Sequence, residues 1–361
     1  MIEYENLGLL NKPFFEEFKA AFAATLESGW YILGNKVKEF ETTYAQYHGS
    51  KHFLGLANGL DALTLSLRAF NFAPGDEVIV PSNTYIATIL SVVECGLKPV
   101  LVEPDIHTYN IDPAQIEAAI TPRTRAIIVV HLYGKSCEMD KIVAIKEKHN
   151  LVLIEDCAQS HAATFKGQLT GTFGEFGAFS FYPTKNLGAL GDAGGLLCND
   201  DALATTIRRL RNYGSDVKYY NELVGMNSRL DEIQAAFLLV KLQHLAQITE
   251  HKRALAAIYQ EGIKSDFIKP VVHPDYFDVF HIYNVRHERR DELKQYLLDN
   301  GVKTDIHYPL PPDRQKAMQG IIAAQPYPIS AEIHRTTLSL PCSYYHTKAD
   351  IEQVVAVINK F

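Results

Sequence analysis

The first 250 residues of this chain alternate short apolar runs with helical stretches, and that rhythm constrains the fold more than any other feature. Strand candidates are Phe53–Leu56, Val78–Val80, Val100–Glu103, Ala126–Val130, Leu151–Glu155, Ala178–Phe181 and Gly195–Cys198. Two of them, AIIVV and LVLIE, are apolar at nearly every position. A strand with one face in water alternates apolar and polar residues. A strand apolar throughout is covered on both faces, as in a mostly parallel sheet between helix layers. The connecting helices have readable ends. Asp112-Pro113-Ala114-Gln115 offers an N-cap, a proline at the first helical position and a glutamine two residues on, which resembles a capping box. The stretch Thr84–Cys95 stops at Gly96, a plausible glycine stop.

The chain has 361 residues, enough for about two domains. Asp231–Glu261 carries an apolar stripe of helical period (Ile233, Ala236, Phe237, Val240, Leu242, Leu245) and reads as one long helix joining them. From about Ser265 the pattern mixes β-like runs with helices at Arg290–Asn300 and Lys348–Lys360, a smaller α+β unit. The expected division is 1–245 and 246–361. The loop Tyr308–Pro312 contains Pro309, Pro311 and Pro312 and is therefore stiff.

Charge and cysteine usage narrow the class. The chain has 35 basic and 42 acidic side chains, a net charge of −7 with mixed signs, and so lacks the footprint of a nucleic-acid binder. Arg208, Arg209 and Arg211, and again Arg286, Arg289 and Arg290, read as solvated faces. No run of about 18 apolar residues is available to span a membrane. The opening MIEYENLGLLNKPFF lacks the basic and apolar regions of a secretory signal. Five scattered cysteines (Cys95, Cys137, Cys157, Cys198, Cys342) point to free thiols in a reducing cytoplasm, with neither a metal site nor a disulfide framework.

Four features between Asn58 and Lys185 converge on one chemistry. Asn58-Gly59-Leu60-Asp61 opens a helix after a β-like run. A glycine at a helix N-terminus leaves N–H groups open to an anion, although an ordinary N-cap turn reads the same. Neither a GxxxxGK[ST] loop nor a GxGxxG after a strand is present. Leu151–Glu155 leads into Asp156, a carboxylate at the carboxyl end of a buried strand, where open α/β sheets bind ligands, although an aspartate capping the next turn reads the same. Gly177-Ala178-Phe179-Ser180-Phe181-Tyr182-Pro183-Thr184-Lys185 places a lysine just past an aromatic strand, where desolvation turns an amine into a nucleophile. Alternation sets Ser180 on the face opposite Phe179 and Phe181. Gly188, Gly191, Gly194 and Gly195 then allow close backbone approach. Together these are the parts a pyridoxal phosphate site needs. Lys185 supplies an amine for the aldehyde. Asp156 supplies an anion for the ring nitrogen. Gly59, Leu60 and Ser180 serve the phosphate, and Tyr85 gives the ring a flat neighbour.

The stretches GLANGLDALTLSL, DEVIVPSNTYIATILSVVECG, VEPDIHTYNIDP, IIVVHLYG, IEDCAQSHAATFKG, GAFSFYPTKNLGALGDAGG, GMNSRLDEIQAAFLLVKL, DIHYPLPP and LSLPC run in order over nearly the whole chain. Jointly they resemble the DegT/DnrJ/EryC1/StrS sugar aminotransferases, pyridoxal phosphate enzymes of fold type I. The resemblance implies an aspartate-aminotransferase-like α/β fold: a large domain with a mostly parallel seven-stranded sheet sandwiched by helices, and a smaller α+β C-terminal domain. It implies that Lys185 forms the internal aldimine with the cofactor and moves the proton, with pyridoxamine phosphate as the intermediate form. It further implies that Asp156 pairs with the ring nitrogen, Gln159 bonds the phenolic oxygen, Tyr85 lies over the ring, and Gly59, Leu60 and Ser180 hold the phosphate. Asn227 would reach the phosphate of a neighbouring subunit, which makes a homodimer with shared sites. His161, Tyr182, Arg229, His307 and Tyr308 are candidate substrate contacts; for His161 a satisfied structural histidine is the alternative.

Two positions depart from the family pattern. Leu60 stands where many relatives carry Thr or Ser, so only its N–H can serve the phosphate. After Tyr308-Pro309-Leu310-Pro311 comes Pro312, and the usual second histidine is missing. Lysine at 185, where some relatives carry histidine and dehydrate sugars, implies amino transfer. The implied reaction moves an amino group from glutamate to a dTDP-3-keto-6-deoxyhexose in a ping-pong cycle. The alternatives are C-4 amination of a dTDP- or UDP-4-keto sugar and a non-catalytic regulatory protein. Desulfuration is a third reaction of the same cofactor, but Cys157, in a tight turn beside Asp156, is a poor nucleophile for it.

Overall fold

The computed structural model describes residues 1–323 and 325–361. Its centre is a seven-stranded sheet in the order His52–Leu56, Gly194–Cys198, Phe176–Ser180, Val152–Asp156, Thr124–Val130, Glu77–Pro81, Lys98–Val102. Gly194–Cys198 is antiparallel to both its neighbours, and the other adjacent pairs are parallel. The expected strands are all present, most of them shifted or lengthened by one or two residues. The apolar runs are covered on both faces. Ile128 and Ile154 pack into one core with Leu63, Leu67 and Ile89. Ile127, Val129 and Leu153 pack into another with Ile116, Met139 and Ile142.

Helix ends follow their local chemistry. The Asn58 side chain accepts from Asp61 N (2.8 Å) and starts the Gly59–Arg68 helix. Asp112 accepts from Ala114 N and from the Gln115 side chain, so the Pro113–Ala119 cap uses the expected residues in a variant geometry. Gly96 follows the Ile86–Glu94 helix at φ +69°, the left-handed stop that favours glycine.

Two expectations fail. The single long helix is two, Glu232–Gln243 and Leu245–Gly262, interrupted at His244 (φ −103°, ψ 1°). The apolar stripe runs through the break, with Leu238 and Leu245 both buried, so hydrophobic periodicity cannot register one non-helical residue. The two arginine clusters are also not solvated faces throughout. Arg211, Arg286 and Arg290 are buried. Arg211 bonds Glu41 and the Gly55 carbonyl, Arg286 pairs with Glu332 (3.0 Å), and Arg290 donates to the His334 and Thr337 carbonyls. A guanidinium that collects carbonyls and a carboxylate can be buried, and sequence does not show those acceptors.

A third core gathers residues 255–358 around Tyr259, Tyr283, Leu293, Leu338 and Ile351, behind a two-stranded antiparallel sheet of Tyr283–Arg286 and Thr337–Leu340. Ile2 belongs to the same core: its N–H donates to Gly301 O and its carbonyl accepts from Lys303 N. No helix among the described residues is long and apolar enough to cross a membrane.

Candidate active site

The parallel strands end on one edge of the sheet, and that edge collects the expected groups. Asp156 closes its strand and Ser180 closes the next. The Gly59–Arg68 helix begins against Ser180: a Cβ on Gly59 would lie 2.7 Å from Ser180 Cβ. Gly194, paired with both Leu56 and Ser180, is equally tight, since its Cβ would stand 2.3 Å from the Asn58 carbonyl. Without side chains at both positions the helix start and two strands close into one cradle. Gly59 N and Leu60 N are the first donors of that helix and have no intrahelical acceptor. The outer glycines serve the protein itself; Gly188, for example, packs on the Pro183 carbonyl.

Asp156 is buried. Its Oδ2 accepts from Thr88 Oγ1 (2.9 Å) and its Oδ1 from Ala158 N (3.1 Å). Burial nonetheless raises its pKa above the ordinary 3.8, against the pull of these donors and of the Lys185 and His131 charges. Lys185 follows the strand in a turn held by Lys185 N to Tyr182 O and Ala189 N to Phe181 O. Burial pushes its ammonium down to about 8, with only Asp156 pulling the other way. Among the described residues its Nζ has no hydrogen-bond partner. This is a buried carboxylate wanting a cation near a half-buried amine wanting a carbonyl or an anion. The donor set fits pyridoxal phosphate: an anion at one end, open N–H groups and a hydroxyl at the other, and a nucleophilic amine between.

The remaining ring-side candidates gather here too. Gln159 accepts from Tyr133 N (2.6 Å) and donates through Nε2 to Tyr308 Oη (3.0 Å). The Tyr85 and Tyr308 rings lie 5.1 Å apart. His307 bonds Ser339 Oγ through Nδ1 (2.9 Å), and its carbonyl accepts from Tyr133 Oη. The stiff proline loop therefore carries C-terminal residues back over the sheet edge. Burial also lowers the His307 pKa, to about 4.

Four candidates stand apart. His161 is fully buried on the opposite side of Ser180; Nδ1 meets Tyr44 Oη (2.9 Å) and Nε2 meets Ser180 O (2.8 Å). Its ring stacks on Phe181, and burial pushes its pKa down to about 3. With both nitrogens engaged inside an aromatic cluster, it has nothing left to offer a ligand, which corrects its reading as a substrate contact. Tyr182 is half exposed. Arg229 donates to Asn212 Oδ1 (3.0 Å) and lies over the Tyr213 ring. Asn227 is exposed and bridges Asn212 through its backbone. Sequence reasoning missed Thr88 and Tyr133. The spacing Thr84-x-x-x-Thr88 at a helix start, facing a strand-end aspartate, was the available signal for Thr88.

The chain matches the model of the DegT/DnrJ/EryC1/StrS aminotransferase family over residues 14–359. A dTDP-3-amino-3,6-dideoxy-alpha-D-galactopyranose transaminase from Aneurinibacillus thermoaerophilus is 50% identical over 362 residues, covering 100% of this chain and 99% of that protein. The crystal structure of S. venezuelae DesV in complex with a ketimine intermediate superposes with a TM-score of 0.97 at 41% identity, covering 99% of this chain and 98% of that one. The crystal structure of ntda from Bacillus subtilis with bound cofactor pmp gives 0.92 at 28% identity, covering 100% and 85%.

Proposed function

The chain belongs to the DegT/DnrJ/EryC1/StrS aminotransferase family, and on that premise we propose that it moves the amino group of L-glutamate onto a dTDP-linked 3-keto-6-deoxyhexose, giving the dTDP-3-amino-3,6-dideoxyhexose. The observation that carries this reading is the 50% identity to the Aneurinibacillus thermoaerophilus transaminase across the full chain. Pyridoxal phosphate is the cofactor. When bound, it supplies a carbonyl that exchanges amines and a ring that accepts the electrons of a broken C–H bond.

The residues divide that work. Lys185 Nζ would hold the cofactor and afterwards take up and return the proton that moves in each half of the amino transfer. An amine lowered to about 8 is far more often neutral near pH 7 than one at the ordinary 10.5, which suits it to both tasks. Asp156 faces the ring nitrogen and keeps it protonated. Gly59 N, Leu60 N and Ser180 Oγ hold the phosphate at the helix start. With the cofactor bound, Gln159 Nε2 would turn from Tyr308 to the phenolic oxygen, and Tyr85 would lie against the ring. His307 and Tyr308 contact the sugar nucleotide, with Tyr308 and Tyr85 shielding the sheet edge from water.

A second copy of the chain completes the site. Asn227 is exposed and outside its own cradle, while Trp30, Tyr31, Tyr213, Val217, Tyr219 and Tyr220 leave a large apolar area uncovered. A homodimer with Asn227 crossing to the other subunit's phosphate accounts for both. The His244 break between the two helices supports a division into 1–245 and 246–361, and the free thiols suit the cytoplasm.

The test is glutamate-driven amination of dTDP-3-keto-6-deoxyhexoses and of dTDP-4-keto-6-deoxyglucose, assayed separately. Product from the 3-keto sugar alone is expected. Product from the 4-keto sugar alone would transfer the activity to C-4, and product from neither would remove the reading.

A further inference from the structure

Asp156 is surrounded by more than the ring-facing groups. Behind it lies the first turn of the Ile86–Glu94 helix, the segment that also presents Tyr85. Thr84 and Thr88, four residues apart, are almost completely buried there. Their hydroxyls are 2.8 Å apart, and Thr88 Oγ1 lies 2.9 Å from Asp156 Oδ2. A threonine hydroxyl has one proton to give. If Thr88 gives it to Asp156, it accepts from Thr84, and Thr84 has no other partner among the described residues. The two bonds then run one way, from Thr84 to Thr88 to Asp156. A protonated carboxyl has no such need of a donor, so the arrangement is matched to the carboxylate. Aligned hydroxyls in a buried setting reinforce one another.

We propose that Thr88 is a positioning residue for the cofactor: with Thr84 behind it, it forms a one-way hydroxyl chain that holds Asp156 ionised and aimed at the ring nitrogen. The proposal rests on the reading that Asp156 pairs with that nitrogen. Burial alone drives the carboxyl the other way, and the Ala158 N–H on Oδ1 supplies only one donor against it. Thr88 answers on Oδ2 and leaves room on the carboxylate for the cation. The same turn thus sets both the flat neighbour of the ring and the charge of its counter-ion.

The test measures binding to the cofactor-free protein, with two probes. One is pyridoxal phosphate. The other is its 1-deaza analogue, in which C–H replaces the ring nitrogen. Wild type should prefer pyridoxal phosphate. Thr88→Val should weaken pyridoxal phosphate by roughly tenfold or more, the usual size of a lost bond to a charged group, and leave the analogue within about twofold. Thr88→Ser should restore wild-type behaviour, and Thr84→Val should show the same selective loss at smaller size. Equal losses for both probes would make Thr88 a packing residue and overturn the proposal, as would unchanged pyridoxal phosphate binding. A wild type that binds both probes equally would instead remove the Asp156 pairing and the proposal with it, a result distinct from failure at Thr88 alone. Should Thr88→Val not fold, Thr84→Val carries the same ratio test with Thr88 in place.

Discussion

The two sides of Ser180 hold comparable chemistry and put it to opposite use. On one side, His161 is buried among Phe179, Phe181 and Tyr44 with both ring nitrogens bonded. On the other, Asp156 is buried and Lys185 half-buried with capacity unspent: an amine without a partner among the described residues and a carboxylate whose burial outweighs its donors. Both sides shift pKa values strongly, so the shift alone does not mark the site. Unmet bonding capacity at the carboxyl edge of the sheet does.

The largest effect should come from Lys185→Ala. Steady-state amination should fall by about 10²–10⁴-fold, the scale of losing the acid–base group, while the thermal transition of the cofactor-free protein stays. Retained turnover would move the chemistry to another residue.

Asp156→Asn should separate binding from stability. Cofactor affinity should drop about a hundredfold or more, as for a broken buried pair. The cofactor-free protein should respond in the opposite sense. Because the folded carboxyl titrates above its ordinary 3.8, the folded state keeps this proton longer than the unfolded one. Its contribution to stability is fullest at low pH and is lost as pH rises through the folded pKa. Asp156→Asn should flatten that part of the pH–stability curve in melting scans; an unchanged curve would deny the burial cost.

His161→Asn should do the converse, lowering stability by about 1–3 kcal/mol for the buried partners left unbonded, with cofactor absorbance intact. In wild type, His161 contributes stability that is complete above its ordinary 6.5 and is lost as pH falls toward about 3. A variant that keeps its melting temperature but loses substrate affinity would return His161 to the site. Smallest of these, Tyr308→Phe removes a neutral hydroxyl assigned to the sugar nucleotide and should raise the sugar KM about fivefold with little change in kcat.

Much of this was legible beforehand. AIIVV and LVLIE announce strands covered on both faces, and Asn58-Gly59, Asp156 and Lys185 lie at strand or helix ends where a one-dimensional pattern locates them. What stayed hidden depends on partners distant in sequence. The stripe from Ile233 to Leu245 runs straight across the break at His244. Arg286 looks like a surface charge until Glu332 is beside it. His161 reads equally as ligand contact or structural residue until Tyr44 arrives from 117 residues away. Thr88 is an ordinary helical threonine until Asp156 is placed against it.

The most direct measurement is the visible absorption of the purified chain with pyridoxal phosphate, set beside Lys185→Ala and His161→Asn. Wild type and His161→Asn should show the band of a lysine-bound cofactor, and Lys185→Ala should lack it. A colourless wild type, or a band that survives in Lys185→Ala, would contradict the assignment of Lys185 as the residue on which the chemistry turns.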